Sequence, residues 1–474
     1  MTEEKTKVNK IKSLFVRSKG KDVDMTVGSI YKNIFWFALP LMIGNLFQQL
    51  YNMVDTWVIG RLDNNDAYSA VGTVGPIINI LIGLFTGLAS GAGIIISQHY
   101  GAKDKKKVHD SVHSFVFLTL VLSVVFTIAG VLGAPFMLKL MLRSENNMES
   151  IYPYAKSYLT IYFAGISAMM IYNTGAGILR AVGDSKRPFY FLVVSALTNI
   201  VLDFFFVFGL NMGVEGVALA TVIAQALSAV LTTVTLLRTD SVVKLKVKDI
   251  KYDSAMVKRI TKVGLPAAVQ MSITAFSNVF VQSYVANVNQ ATDSACMSGW
   301  TSYSKIDQFI FLPVQAISLG VTTFVGQNLG CGNKKRAEKG TQVAFYMSLL
   351  VTVAVIGLVL LFTPTLAGIF NSDPQVVKYA KLLLYNITPF YLFCCVNQVF
   401  SASMRGAGNT KAPMLIMLGS FVVFRQIYLF VMSNFISNDI LPIAYGYPAG
   451  WFVCCAATLV YYKFFHLKSK NCCI

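Results

Sequence analysis

The amino-acid sequence predicts an all-α integral membrane protein whose twelve transmembrane helices form two six-helix lobes related by a pseudo-twofold axis. Three observations support this prediction. Apolar segments long enough to cross a bilayer recur along most of the chain. Short sequence motifs of the first half are repeated in the second half. The lysines and arginines collect on one side of the predicted membrane.

The apolar segments are the first of these observations. Of the 474 residues, 55% are hydrophobic and 13% are charged, whereas a soluble protein carries about a quarter charged residues. Runs of roughly 20 to 28 residues suffice to cross about 30 Å of hydrocarbon, and backbone groups in lipid must be satisfied within a helix. The predicted spans cover residues 33–59, 70–97, 111–133, 157–179, 187–209, 213–237, 260–287, 296–325, 340–362, 378–402, 412–435 and 442–465.

An internal repeat is the second observation. Leu179–Pro188 (LRAVGDSKRP) resembles Met404–Pro413 (MRGAGNTKAP), and Ser97–Lys107 (SQHYGAKDKKK) resembles Gly326–Arg336 (GQNLGCGNKKR). The two pairs are offset by 225 and 229 residues, which indicates a duplicated half. Six spans per half is an even number, so both halves have the same topology and are related by an axis along the membrane normal. We expect a cleft between them to hold the cargo.

The distribution of basic residues is the third observation. The net charge is +18, and 32 of the 40 lysines and arginines fall on the side of the N-terminal tail. This bias predicts a multi-pass plasma-membrane protein with both termini in the cytoplasm, rather than a nucleic-acid-binding protein. We expect the basic loops to contact the anionic head groups of membrane lipids. The predicted parts are a cytoplasmic tail (1–28), an N-lobe (29–238), a cytoplasmic linker (239–259), a C-lobe (260–466) and a second cytoplasmic tail (467–474).

Polar residues form a stripe along the first predicted span. They recur at spacings of three, four and seven, which places them on one helix face: Asn45, Gln48, Gln49, Asn52, Asp55 and Thr56. A charge at the centre of a spanning helix costs about 2.5–3.5 kcal/mol, so the stripe should face protein or a water-filled cavity. It either lines the cargo cavity or forms a hydrogen-bonded contact between helices, for which Asp55 is a poor choice.

The fifth span carries a second acidic residue. Ser195, Asn199 and Asp203 are four residues apart and share one face, followed by the apolar segment 204–209. Because desolvation disfavours the anion, Asp203 is a candidate proton carrier. The alternative is a permanently protonated or paired carboxyl group. Thr221 in the sixth span and Asn173 in the fourth are candidates to complete a polar cluster.

The second half carries its own polar candidates. Residues that could contact cargo line the seventh, eighth and eleventh spans: Gln270, Thr274, Asn278, Asp307 and Arg425. A pair between Asp307 and Arg425, or between Asp307 and Lys305, would reduce the cost of burial. Structural pairing and contact with substrate or ion remain alternatives.

The sequence contains no motif that indicates nucleotide binding, metal binding or enzymatic activity. The glycine-containing segments lack the phosphate-loop pattern, so uphill transport would require an ion gradient of protons or sodium. The eight cysteines include no CxxC pair, and we expect neither a metal site, a cofactor nor an enzymatic activity. We expect the histidines His99, His109 and His113 to lie at the membrane–water interface. We also expect the protein to be a monomer.

The span 30–466 resembles the multidrug and toxic compound extrusion (MATE) family of bacterial efflux transporters. The segments that carry the resemblance are NMVDTWVIG at Asn52–Gly60, LRAVGDSKRP at Leu179–Pro188, NIVLDFFFVFGLNMGVEGVALAT at Asn199–Thr221, FVGQNLGCGNKKR at Phe324–Arg336 and MRGAGNTKAP at Met404–Pro413. The resemblance implies two six-helix lobes around a V-shaped cleft. It also implies exchange of cationic or amphipathic compounds for protons or sodium.

The resemblance also implies roles for individual residues. Family members use an acidic residue on helix 1 and another on helix 5, and Asp55 and Asp203 match these positions. Asn199 and Thr221 match their polar partners, and Asn173 matches more loosely. Pro40 resembles the proline near which helix 1 bends in some members, so it is a candidate hinge, with a static kink as the alternative.

The sequence departs from one branch of the family. Some sodium-coupled members carry a glutamate on helix 7 and an aspartate on helix 10, whereas this chain has Gln270 on helix 7 and no acid on helix 10. This favours coupling in the N-lobe, by protons, although Asp55 and Asp203 could also hold sodium. The alternative function is a flippase for lipid-linked precursors. A pyrophosphate would need several cations in the cleft, and the spans contain only Lys305 and Arg425.

Overall fold

The computed structural model describes residues 22–61, 65–141, 148–290, 294–370 and 373–465. Most of the predicted N-terminal tail (1–21) and all of the predicted C-terminal tail (467–474) lie outside these ranges. Regular secondary structure in the described residues is helical throughout, as the apolar runs predict.

Twelve helical segments correspond to the twelve predicted spans, and we number them α1 to α12. Their bounds are Ile30–Gly60 (α1), Asn65–Gly101 (α2), Lys105–Met141 (α3), Met148–Ala164 with Ile166–Ala181 (α4), Lys186–Asp203 (α5), Gly213–Arg238 (α6), Ser254–Val285 (α7), Ser294–Gly330 (α8), Lys334–Phe370 (α9), Pro374–Ile387 with Tyr391–Gly406 (α10), Lys411–Met417 with Arg425–Val431 (α11), and Ile440–Ala444 with Gly446–Phe465 (α12).

Eleven of these described segments are long and apolar enough to cross a membrane. The remaining segment is α4, which consists of pieces of 17 and 16 residues on either side of Gly165. The sequence predicts one continuous span here, and the structure shows two shorter helices in series. The all-helical membrane fold is therefore confirmed.

Two related helices lose regular α-helical geometry at corresponding places. α5 continues into a π-helical turn over Phe204–Gly209, and α11 ends in one over Met432–Ile436. A further π-helical turn, Leu418–Phe424, interrupts α11. π-turns occur frequently at functional sites. Asp203 directly precedes the turn in α5, and Arg425 directly follows the extra turn in α11.

The helices pack around several hydrophobic cores. One core lies within the first half, around Val58, Leu159 and Val217, and a second within the second half, around Trp300 and Tyr391. A separate core joins the halves: the α1 residues Ile34, Phe37 and Leu41 pack against Ile317 and Val321 of α8. The lobe boundaries of the sequence analysis stay a prediction.

Contacts between the halves concentrate at the end that carries the basic loops, which we call the basic end. There α2 packs against α7 without intervening side chains. A Cβ atom at Gly87 would lie 2.3 Å from the Cα of Ala268, and one at Gly91 would lie 2.2 Å from the Cα of Gly264. Only glycine permits this approach, so the two backbones touch directly and the basic end is closed.

Residues 22–28, which we call the N-terminal strap, cross the basic end and contact both halves. The Val23 amide donates a hydrogen bond to the Val182 carbonyl in the first half (3.1 Å). The Met25 amide donates to Oε1 of Gln327 in α8 (2.9 Å). Arg336 at the start of α9 donates to three strap carbonyls over 2.9–3.3 Å. Met25 is fully buried, so the strap is part of the closed end.

Candidate functional site

Two carboxyl groups meet inside the first half. The Asp55 carboxyl in α1 interacts directly with the Asp203 carboxyl at the end of α5. Asp203 is completely buried, and neither of its oxygens accepts a hydrogen bond from a described N–H or O–H group. Asp55 is half-buried. The structure thus brings together the two acids that the sequence singled out, one of them shielded from solvent. We call them the acid pair.

A polar cluster surrounds the acid pair. The Thr221 hydroxyl of α6 interacts with the Asp55 carboxyl. It also donates a hydrogen bond to the Val217 carbonyl (3.0 Å) and accepts a long one from Nδ2 of Asn199 (3.5 Å). Because Asn199 lies four residues before Asp203, it shares the same face of α5. α1, α5 and α6 therefore each supply part of the cluster.

Several neighbours of the acid pair were not predicted from the sequence. Tyr51 contacts the side chains of Gln48 and Gln225 and lies close to Asp55. Tyr158 of α4 lies close to both acids. Spacing could have identified two of these residues, since Tyr51 precedes Asp55 by four and Gln225 follows Thr221 by four. Tyr158 carries no such signal, because it comes from a different helix.

The other predicted residues of the first half are more scattered. Asn173 donates its described side-chain hydrogen bond to the Met169 carbonyl of its own helix (2.9 Å). Asn52 is exposed, whereas the remaining amides of the α1 stripe, Asn45, Gln48 and Gln49, are half-buried. α1 runs unbroken through Pro40 from Ile30 to Gly60. The role of Pro40 as a hinge stays a prediction.

The predicted ion pairs of Asp307 are wrong for the described residues. Asp307 accepts a hydrogen bond from the Tyr303 hydroxyl (3.2 Å) instead of pairing with Arg425 or Lys305. Arg425 is 1% exposed, and its Nη1 donates to the Ser277 hydroxyl (3.1 Å). Its guanidinium lies 4.5 and 4.9 Å from ring centroids on two aromatic residues, Phe421 and Tyr447. These rings attract the cation through their faces and take the place of a carboxylate.

The polar stripe of α7 divides into buried and accessible parts. Gln270 is buried, and its Nε2 donates to the Met417 sulfur (3.0 Å). Thr274 and Asn278 are half-buried, and Oδ1 of Asn278 has no hydrogen-bond partner among the described residues. Gln270 therefore lies in the packing of the second half, while Thr274 and Asn278 are only half-buried.

Two histidines and an aspartate lie together at the basic end. His109 Nε2 is 3.1 Å from Oδ2 of Asp249 in the linker. His113 donates from Nδ1 to the His109 carbonyl (2.7 Å) and accepts at Nε2 from the Lys246 amide (3.0 Å). One ligand atom from each of the three residues lies within 4.8 Å of the others. Existing hydrogen bonds already use these atoms, and they attach the linker to α3. The expected absence of a metal site stays a prediction.

Twelve helical segments in two similar halves, packed against each other at one end, define a multi-pass membrane protein. The MatE family model matches the chain twice, over residues 40–205 and again over 266–431. The chain belongs to this family, the multidrug and toxic compound extrusion transporters, as the resemblance predicted. The two matches are 226 residues apart at both ends, in agreement with the internal repeat.

Relatives cover nearly the whole chain. The probable multidrug resistance protein YpnP of Bacillus subtilis is 29% identical over 451 residues, covering 95% of this chain and 99% of the relative. The probable multidrug resistance protein NorM of Thermotoga maritima is 29% identical over 423 residues, 88% of each chain.

Solved structures share the fold. An outward-facing MATE transporter superposes with a TM-score of 0.87 at 23% identity, over 95% of this chain and 99% of that one. A transporter of the MOP superfamily from Pyrococcus furiosus gives 0.86 at 23% identity, over 94% and 97%.

Proposed function

We propose that the protein is a secondary active antiporter that exports cationic or amphipathic drugs in exchange for protons. It would lie in the plasma membrane with both termini in the cytoplasm. The observation that carries this proposal is the contact between the buried Asp203 and the half-buried Asp55. The relatives that are probable multidrug resistance proteins support the choice of cargo.

The acid pair can exchange a proton for a cation. Two carboxyl groups this close in a low-dielectric site cannot both ionise without strong repulsion, so the pair retains a proton when no cation is present. A cationic drug in the cleft would stabilise the doubly ionised form and displace that proton. Protons entering from outside would reverse the exchange and release the drug. Cargo and protons thus compete for one site, which is the requirement for antiport.

Sodium is the alternative coupling ion. The acid pair together with Asn199 and Thr221 offers carboxylate, amide and hydroxyl oxygens, the ligands that hard cations prefer. Sodium would replace the retained proton without changing which residues act. Separate proton and sodium gradients therefore distinguish the two mechanisms.

The closed basic end supports alternating access. With the basic loops in the cytoplasm, the structure is closed to the cytoplasm, and a cleft between the halves would open to the outside. The opposite state requires the α2–α7 contact at Gly87 and Gly91 to separate. Each positive charge that moves down the membrane potential supplies about 2.3 kcal/mol per 100 mV.

Proteoliposomes loaded with a fluorescent cation test the proposal under separate proton and sodium gradients. We expect Asp203→Asn and Asp55→Asn to slow proton-driven export by about tenfold or more, equivalent to about 1.4 kcal/mol. Glu215→Gln, which neutralises an exposed carboxylate at the start of α6, is the matched control and should transport normally. Normal proton-driven export by a folded Asp203→Asn protein would remove Asp203 from the mechanism.

A further inference from the structure

A cavity of about 30 Å³ lies between the two halves at the basic end, with room for about two water-sized spheres. Its walls come from α2 and α4 of the first half and from α8 of the second. The polar groups that matter are the Arg180 guanidinium and the hydroxyls of Thr86, Ser90 and Thr323. The cavity is distinct from the acid pair, which involves none of these residues.

Arg180 carries a positive charge that no described residue neutralises. It donates no hydrogen bond and makes no ion pair within the described chain. The nearby acid in the following loop, Asp184, is already paired with Arg187 at 3.1 Å. Arg180 is half-buried beside the cavity, and arginine keeps its charge in a protein. A site of this kind favours an anion.

Hydroxyl groups in the cavity wall could also donate hydrogen bonds to an anion. Thr322 donates to the Ser318 carbonyl (3.0 Å) and Ser97 donates to the Ile94 carbonyl (2.8 Å), so these two hydrogens are already used. Thr86, Ser90 and Thr323 make no hydrogen bond with a described residue. Their hydroxyls are donors that remain available beside Arg180.

The repeat supplies a second unneutralised charge nearby. Arg405, 225 residues after Arg180, is 4% exposed, and its Nε has no described partner. Its helix packs on the cavity wall, since the Thr322 hydroxyl also contacts the Ala402 carbonyl (3.3 Å). Both halves therefore bring an arginine without a described counter-charge to the same closed end.

We propose that this cavity binds a small monovalent anion of chloride size, held by Arg180 and the hydroxyls of Thr86, Ser90 and Thr323. The one guanidinium charge in its described wall matches a monovalent anion. Because α2 and α4 form one wall and α8 the other, the site exists only while the basic end is closed. A ligand that binds one conformation alone shifts the equilibrium toward it. The anion thus stabilises the closed basic end and sets how readily the transporter changes state.

Thermal unfolding of the purified transporter tests this proposal at constant ionic strength, with chloride, bromide, sulfate and gluconate as the anions. We expect chloride and bromide to raise the unfolding temperature in a saturable manner, and sulfate and gluconate to have no such effect. The shift should vanish in Arg180→Gln and require about tenfold more chloride in Thr323→Val, a loss of about 1.4 kcal/mol. Arg238→Gln, at an exposed arginine that ends α6, is the control and should respond as the unmodified protein does.

Three outcomes would overturn the site: equal stabilisation by gluconate or sulfate, an undiminished chloride response in Arg180→Gln, or a chloride response in Thr323→Val that equals the control. Anomalous diffraction from crystals of the unmodified protein in bromide gives an independent decision if Arg180→Gln does not fold. A bromide peak beside the Arg180 guanidinium supports the proposal, and bromide-containing crystals without that peak refute it.

Discussion

At the scale of single residues, the acid pair has no counterpart in the second half. The repeat aligns Asp55 with Val281 and Asp203 with Tyr428. Val281 is fully buried in a hydrophobic core, and the Tyr428 hydroxyl donates to the Pro442 carbonyl (3.1 Å). Both counterparts stabilise packing. Duplication therefore supplied the scaffold twice, while the acid pair lies in one half.

Tyr51 should tune the ionisation of the acid pair without being required for transport. Tyr51→Phe removes a hydroxyl that contacts Gln48 and Gln225 beside Asp55, which makes the surroundings of the carboxyls less polar. Because such surroundings disfavour the anion, we expect the pH midpoint of proton-driven export to move upward while the maximal rate changes less than twofold or so. The measurement is the pH profile of dye export from proteoliposomes.

Tyr385→Phe is the control for this change, because Tyr385 is 46% exposed on α10. It should leave the pH profile where it is. A Tyr51→Phe profile that coincides with the control would mean that the hydroxyl does not influence the pair.

The acid pair shows how far single residues could be predicted. Asp55 and Asp203 were identifiable because a carboxyl group in an apolar helix is expensive. The partner of Arg425 was not, because aromatic faces can replace a carboxylate and the sequence does not show which rings surround it. The ion pairs proposed for Asp307 were wrong because a neutral group takes the place of the cation. The Tyr303 hydroxyl, one helical turn away, donates a hydrogen bond to Asp307 instead.

At the scale of helices, the contact between α2 and α7 depends on having no side chain at Gly91. We expect Gly91→Ala to separate the helices, because the new Cβ would lie 2.2 Å from the Gly264 Cα. The basic end should then open and transport should fall severalfold or more. Spin labels on cysteines that replace the exposed Lys106 and Lys339 would show a longer distance between the halves.

Gly357→Ala is the matched control, since a Cβ there has no neighbour within 4 Å. It should leave the label distance unchanged and stabilise α9 by up to about 1 kcal/mol, as alanine is the better helix former. Equal label distances in the two variants would show that the glycine contact does not hold the end closed.

The N-terminal strap should hold the same end closed by a different means. Arg336→Gln removes a charged donor that contacts the carbonyls of Met25, Val27 and Gly28. Hydrogen bonds to charged groups contribute about 1.5–3 kcal/mol, so we expect a larger population with the basic end open. The same spin-label distance reports it.

Lys335→Gln removes an equal charge from the neighbouring exposed residue and is the control for the strap. It should keep the original distance distribution. A strap that merely lies on the surface would make Arg336→Gln indistinguishable from this control.

Helices were predictable in number and position, because each needs an apolar run of membrane-spanning length. The break of α4 at Gly165 and the π-turns were not predictable. They reflect packing between helices, which hydropathy along one helix does not record. The strap was missed because the sequence analysis treated residues 1–28 as a tail. Its partners, Gln327 and Arg336, lie about 300 residues later in the chain.

At the scale of the whole molecule, one native cysteine can test the orientation in the membrane. Among the described cysteines Cys331 is exposed and the others are buried, and Cys331 lies in a basic loop. In a Cys472→Ser, Cys473→Ser background, we expect a membrane-impermeant maleimide to label inverted vesicles at least severalfold more than right-side-out vesicles. Cys331→Ser controls for reaction elsewhere, and preferential labelling of right-side-out vesicles would reverse the proposed topology.

The overall architecture followed from the sequence because duplication and positive-inside bias are properties of the whole chain. Which end is closed did not follow. The closed end is determined by the close approach of helix backbones at residues such as Gly91 and Gly264. The repeat alone is compatible with closure at either end.

The N-terminal strap also has a consequence for biosynthesis. The Met25 amide is hydrogen-bonded to a side chain 302 residues further along the chain. At about 5–20 residues per second, the ribosome needs roughly 15–60 s to make that partner after Met25 has emerged. During this interval α1 is already in the membrane and the strap has no second half to join. Closure of the basic end is therefore a late assembly step, and it reports that the second half has been inserted.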